Sequence, residues 1–204
     1  MNMADSRGYL KMRLTPRRFE HSLGVMNTIE ELAPIYNLDR EQAMLAGLLH
    51  DAGKELSEDQ WMSLVRNDER LLLDSKEYDY HHYLHGPVGA ILVQRDLRIE
   101  DQEVLESIAT HGYYGRWEVF NSPLSWCLRF SDILEPGRDW SNNRWIKDLV
   151  SPLRDAAYGG YLSEGALMIT RHLVEWYETE GIAVHPSIRR VAHNISNEEF
   201  VSKL

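Results

Sequence analysis

Ala43-Met44-Leu45-Ala46-Gly47-Leu48-Leu49-His50-Asp51 is the stretch that decides the fold. Asp39 and Gln42 just before it form a capping-box pattern that starts a helix. The seven residues from Ala43 to Leu49 carry no polar side chain, so this helix is apolar on every side and belongs in the centre of a fold. It closes on His50-Asp51. Two polar residues there are either satisfied structural groups or a site, and a buried Asp51 carries a large desolvation cost unless a cation offsets it.

Outward from this segment the periodicity is helical almost throughout. A first long helix begins at Thr15, an N-cap residue followed by Pro16 at the first helical position. Phe19, Val25, Met26, Ile29, Leu32, Ala33 and Tyr36 then recur at three- and four-residue steps, with His21 on the same inward stripe as Val25 and Leu32. Asn37 is the expected stop. Ser57 with Gln60 caps a further helix to Arg66. Residues 67–84 are charged and tyrosine-rich without clear period, and read as loop with short helical pieces. Helices are expected again at 87–97, 101–111, 123–132, 146–157 and 162–181, with a last one after Pro186. The expectation is an all-α fold in one domain, 1–204, with its core at about 15–195.

Four histidines and two aspartates stand out along this helical chain: His21, His50, Asp51, His85, His111 and Asp132. Imidazole and carboxylate are the donors that hold divalent transition metals when thiolates are absent. Ligands so far apart in sequence must converge from different helices on the middle of the fold. His50 and Asp51 project about 100° apart on a helix. They meet one metal only near a helix end, or Asp51 reaches across to a second. One arrangement uses every candidate, with His21, His50 and Asp132 on one ion, His85 and His111 on another, and Asp51 between them. Each ion then keeps open positions, as catalytic metals require. Two such ions can acidify a water and clamp a displacement at phosphorus.

Composition sets the outer limits. At 204 residues and 43% hydrophobic, the chain can bury one sizeable core. Its net charge of −10 argues against a nucleic-acid scaffold. It leaves room for a phosphorylated small molecule, because divalent cations outweigh the two aspartates locally. Cys127 is the only cysteine, which excludes an internal disulfide and a thiolate cluster and fits a small core residue. The opening Met1-Asn2-Met3-Ala4-Asp5-Ser6-Arg7 has no apolar run of the signal-peptide kind, and no long apolar run suggests a membrane span. A cytoplasmic protein without membrane or nucleic-acid partners is expected, and a homodimer is compatible with the sequence.

The motifs resemble those of the HD-domain metal-dependent phosphohydrolases, and within them the bacterial symmetrical diadenosine tetraphosphate hydrolases. The matching stretches run from Arg18-Phe19-Glu20-His21-Ser22-Leu23-Gly24-Val25 through Ala46-Gly47-Leu48-Leu49-His50-Asp51-Ala52-Gly53-Lys54 and His85-Gly86-Pro87-Val88-Gly89-Ala90. They continue in Glu103-Val104-Leu105-Glu106-Ser107-Ile108-Ala109-Thr110-His111, Ser131-Asp132-Ile133-Leu134-Glu135-Pro136-Gly137-Arg138 and Val184-His185-Pro186-Ser187-Ile188. The resemblance spans residues 15–195. It implies an HD helical bundle with a metal site at its centre, holding two divalent ions, iron first and manganese, zinc or cobalt as alternatives. The implied reaction cuts a dinucleoside tetraphosphate into two ADP by a metal-activated hydroxide, with Asp51 as a catalytic ligand. Alternatives are another nucleotide phosphohydrolase, acting on nucleoside mono- or diphosphates or alarmones, and a di-iron oxygenase.

Lys54 and Arg138 are the expected catalytic and substrate-binding cations. Lys54 lies one helical turn beyond His50, and the planar fork of Arg138 suits two phosphate oxygens. Arg18, one turn before His21, is a further substrate-binding candidate. His81 and His82 among Tyr78, Tyr80 and Tyr83 form a patch that could meet a nucleobase, though an exposed loop is the plainer reading. His185 before Pro186 reads as a helix-start feature. The chain departs from the family pattern after His111, where Gly112-Tyr113-Tyr114-Gly115-Arg116-Trp117 replaces a small element, and at Leu128-Arg129-Phe130-Ser131. Neither change touches a metal ligand; both bear on the substrate.

Overall fold

The computed structural model describes residues 3–66, 84–112 and 122–196, with backbone alone at 187 and 196. Among the described residues there are ten helices and no strand. They are α1 (Met3–Arg13), α2 (Pro16–Leu32), α3 (Arg40–Leu49), α4 (Glu58–Arg66), α5 (His85–Leu97), α6 (Gln102–Thr110), α7 (Pro123–Leu134), α8 (Val150–Tyr158), α9 (Leu162–Glu180) and α10 (Pro186–Ser196). The all-α expectation holds. The tyrosine-rich stretch expected as loop, with His81 and His82, and the segment from Tyr113 to Trp117 lie outside the described residues.

Helix α3 behaves as its composition demands. Ala43, Ala46, Gly47, Leu48 and Leu49 are buried, and Asp39 accepts a hydrogen bond from the Gln42 amide at 2.9 Å to start it. The reciprocal half of that capping box is not made, because Gln42 Nε2 turns instead to Asp101 Oδ2, 2.6 Å away at the N-cap of α6. The box before α4 closes in both directions between Ser57 and Gln60. Asn37 takes a left-handed φ of 52°, ending the turns that follow α2. The other central element is α7, where Leu124 to Ser131 are all buried, Cys127 among them. It packs against α2, α3, α6, α8 and α9.

One helix was not expected and two boundaries differ. The long helix with Thr15 as N-cap and Pro16 in its first turn forms as expected as α2, but α1 precedes it and buries Ser6, Tyr9 and Leu10 against α2 and α3. Helix α5 begins at His85, two residues before Pro87; a proline in the first turn is tolerated because its missing N–H has no helical partner to lose. Helix α8 begins at Val150, with hydrogen-bonded turns over the four preceding residues. No described helix is long and apolar enough to cross a membrane.

Candidate metal centre

All six residues singled out in the sequence meet at one point. The four imidazole rings form an arc in the order His21, His50, His111, His85, with successive centroids 5.2, 5.1 and 4.9 Å apart. Asp51 sits inside the arc. Its Oδ2 faces His50 Nε2 at 3.8 Å, and its Oδ1 faces His111 Nε2 at 3.7 Å and His85 Nε2 at 3.9 Å. Asp132 Oδ1 lies 3.0 Å from His21 Nε2 and 3.8 Å from His50 Nε2. The carboxylate of Asp51 therefore addresses two histidine groups, one through each oxygen.

The local structure explains the convergence. His50 and His111 are the C-cap residues of α3 and α6, two helices that lie side by side. Helix C-termini present partial negative charge, which favours cations. His50 ends its helix, so Asp51 follows in a turn and is free of the 100° separation that a continuing helix would impose. His85 reaches the arc because α5 starts close to this turn. A Cβ built on Gly53 would come within 2.6 Å of the His85 carbonyl oxygen, a contact only glycine avoids.

The donor set fits a divalent metal. His50 Nδ1 donates to the Gly47 carbonyl at 2.8 Å, and His111 Nδ1 donates to the Ile108 carbonyl at 2.7 Å. A carbonyl can only accept, so each proton sits on Nδ1 and each lone pair on Nε2, aimed into the arc. His50 Nε2 is fully buried and has no hydrogen-bond partner among the described residues. Buried polar atoms are normally paired, and an orphaned imidazole lone pair facing a carboxylate is what a metal-coordinating atom requires. His21, His50 and Asp51 form one group whose donor atoms lie close enough to hold an ion; Asp51, His85 and His111 form another.

The charges around the arc are strongly coupled. Burial pushes the His50 imidazolium down to about 4, so this residue is neutral at physiological pH. His21 differs: burial opposes its charge, but hydrogen bonds to Asp132 and Glu135 outweigh that and raise it to about 9. Burial alone would raise Asp51 and Asp132. For Asp51 the neighbouring His50, His111 and Lys54 win, for Asp132 Arg138 and His21, and both stay well below the carboxylate range.

The expected substrate cations are present but engaged with the arc. Lys54 Nζ donates to His85 Nε2 at 3.0 Å, and burial lowers its pKa against the pull of Asp51 and Asp132. Arg138 pairs with the Asp132 carboxylate, donates to the Asp132 carbonyl at 2.5 Å, and stands 3.4 Å from His21 Nε2. Arg18 bridges Asp51 at 3.4 Å and Glu55 at 3.0 Å. His185 is buried just ahead of α10, a helix-start position as expected.

Glu135 is the site residue whose role the sequence reading missed. It is 2% exposed, accepts from His21 Nδ1 at 2.9 Å through Oε1, and accepts from the Gly137 amide at 2.6 Å through Oε2. A Cβ on Gly24 would sit 2.4 Å from Glu135 Oε2, so α2 leaves the carboxylate room only by having glycine there. The available signal was an acid three residues past the last aspartate, inside a turn that ends in Arg138.

A cavity of about 920 Å³ opens over the centre, bordered by Arg17, Arg18, Glu20 and Asn27 of α2 and by Arg138. It can admit a chain of phosphates alongside the cations.

Comparison with known proteins follows the same lines. The family model described as HD domain matches residues 18–153. The chain is 33% identical over 140 residues, 69% of its own length and 72% of the relative's, to the symmetrical bis(5'-nucleosyl)-tetraphosphatase of Halalkalibacterium halodurans. It is 32% identical over 186 residues to the protein of that name in Staphylococcus aureus, covering 91% of this chain and 90% of the other. The crystal structure of a predicted HD superfamily hydrolase involved in NAD metabolism from Clostridium acetobutylicum superposes with a TM-score of 0.83 at 28% identity, over 97% of this chain and 98% of that one.

Proposed function

On the premise that this chain belongs to the HD-domain family and is a hydrolase, we propose that it cleaves dinucleoside polyphosphates symmetrically, diadenosine tetraphosphate going to two ADP. The observation that carries this reading is the convergence of four imidazoles on the two oxygens of Asp51, ringed by Lys54, Arg138 and Arg18. His21, His50 and Asp132 would hold one divalent ion, His85 and His111 a second, and Asp51 both. Iron is the expected metal. Such ions supply Lewis acidity at phosphorus and acidify water at neutral pH.

The chain's own contribution is positioning and charge. Arg138, fixed through its Nε to the Asp132 carbonyl, can turn its remaining donors to non-bridging phosphate oxygens. Lys54 Nζ supplies a compact charge beside His85, and Arg18 a third on the α2 side. A nucleoside diphosphate is a fair leaving group, so orientation and neutralisation are most of the task. Residues 1–204 form a single HD domain in this reading, supported by the near-complete superposition on one HD hydrolase. The relatives' printed names support the substrate class. A cytoplasmic setting and a nucleotide rather than nucleic-acid substrate complete it, the second supported by the net charge of −10.

The test is product analysis. Metal-loaded protein with diadenosine tetraphosphate should release ADP as sole nucleotide product. Release of ATP with AMP would mean asymmetric cleavage, and turnover confined to simple mononucleotides would overturn the substrate assignment.

A further inference from the structure

A second cavity, of about 650 Å³, meets the same centre from the other side. The two share Lys54, His85, His111, Asp132 and Arg138. Beyond those shared residues their chemistry diverges. The α2-side cleft is walled by Arg17, Arg18, Glu20, Asn27 and Glu55, with no Phe, Tyr or Trp among its described lining residues. The α9-side cleft is walled by Trp145, Trp176 and Tyr177 with Ile169, Leu173 and Ile182. Its one cation among the described residues beyond the shared pair, the buried Arg129, turns its guanidinium to the Ser125 and Thr110 carbonyls. Ile182 stays 37% exposed at this wall.

We propose that the α9-side cleft is the subsite for one purine base, and that the α2-side cleft takes the other half of the substrate as phosphate and ribose alone. This rests on the dinucleoside polyphosphate reading above. A flat, uncharged π-face is what an aromatic wall beside a phosphate centre accommodates; a phosphate would lose its hydration there without a matching donor. The volume is in the range of small-ligand pockets, room for one nucleoside. Trp145 Nε1 is buried without a hydrogen-bond partner among the described residues. It is a donor of the kind that a purine ring nitrogen satisfies.

Recognition is then one-sided, and this predicts a further activity. Adenosine 5'-tetraphosphate, which lacks the second nucleoside, is a substrate. One water adds across the central P–O–P bond, and the products are ADP and pyrophosphate. Its kcat/KM should fall within about tenfold of that for diadenosine tetraphosphate, since the base–aromatic stacking is common to both.

Binding separates the subsite from the activity. Calorimetric titration of the metal-loaded protein with ADP and with pyrophosphate should show ADP binding roughly tenfold or more tightly. Trp176→Ala should erase that preference and leave pyrophosphate affinity unchanged, while Trp176→Phe, which keeps a stacking face, should retain most of it. Equal affinities in the unaltered protein, or a Trp176→Ala variant that still prefers ADP, would overturn the subsite. So would a loss of more than a hundredfold with adenosine 5'-tetraphosphate. If diadenosine tetraphosphate is not cleaved but the ADP preference depends on Trp176, the subsite stands and the assigned activity falls. Cleavage with unchanged KM in Trp176→Ala has the opposite meaning.

Discussion

His50 and His111 are held by backbone, His21 by two carboxylate side chains, and the difference divides the centre into a part built by the fold and a part built by charge. The first two cap parallel helices whose N-terminal ends are also tied together through Gln42 and Asp101. Their Nδ1 protons go to carbonyls three residues back, a geometry that follows from any helix ending in histidine at that register. His21 lies in mid-helix in α2, and its orientation comes from Glu135 on one nitrogen and Asp132 on the other. The backbone-held imidazole His50 is already neutral. His21, raised to about 9, is protonated at neutral pH, and a metal bound there would have to displace that proton.

The largest effect should come from removing the residue that both parts share. Asp51→Ala takes one oxygen from each histidine group, so bound metal should fall toward zero and kcat/KM by at least about a thousandfold, a loss of roughly 4 kcal/mol. Metal analysis of the purified variant alongside turnover checks it. A variant that keeps full metal and full activity would refute the shared-ligand arrangement.

Glu135→Gln sharpens the comparison more selectively. It keeps the size of the side chain but removes the charge that holds the Nδ1 proton of His21. Loss of such a partner typically costs ~10–100-fold in metal affinity. The loss should fall on the His21 group and spare the His85–His111 group, which a metal titration resolves as one weakened and one unchanged step. Equal weakening of both would mean that Glu135 supports the fold rather than His21.

The pH dependence separates His21 from His50 directly. His21 titrates near 9 in the metal-free fold, above its ordinary 6.5. Its bonds to Asp132 and Glu135 therefore stabilise the metal-free fold fully below pH 6.5, and that contribution is lost as pH rises through 9. A metal competes with the same proton, so affinity at this group should gain up to about tenfold per pH unit between 7 and 9. His50, held near 4, adds no such slope over that range. A flat affinity from pH 7 to 9 would show that His21 gives up no proton.

The backbone-held part was the more legible in the sequence. An apolar run ending in His50-Asp51 states its own burial, and Asp39 and Asp101 announce the helices that end in His50 and His111. The six candidate residues, chosen by residue type and by the motifs that contain them, are the six that the structure brings to one point. What sequence did not reveal depends on side chains meeting across the fold. Glu135 stood in a quoted motif without a role, since nothing in its spacing says that it reaches back to α2. Helix α1 shows no apolar stripe in the sequence, because apolar and charged residues are mixed around it, Gly8 sits in its middle, and Ser6, Tyr9 and Leu10 are its buried residues. Lys54 and Arg138 were found as cations but not as partners of His85 and Asp132, because pairing is set by three-dimensional proximity.

The smallest effect expected tests whether the backbone-held part is as robust as its construction implies. Asp101 caps α6 by accepting from the Val104 amide at 3.1 Å, and it receives Gln42 Nε2 from α3. Asp101→Ala removes both bonds at the end of the helix pair farthest along the chain from His50 and His111. The cost should be about 1–2 kcal/mol, a fall in Tm of roughly 2–8 °C for a chain of this size. Yet the hydrogen bonds that orient His50 and His111 lie in the last turns of their helices and do not involve the cap. Metal stoichiometry and affinity should therefore stay unchanged while the melting temperature drops. If metal affinity falls with Tm, the two helices hold their histidines only as a rigid pair, and the backbone-held part is no more independent of distant side chains than His21 is.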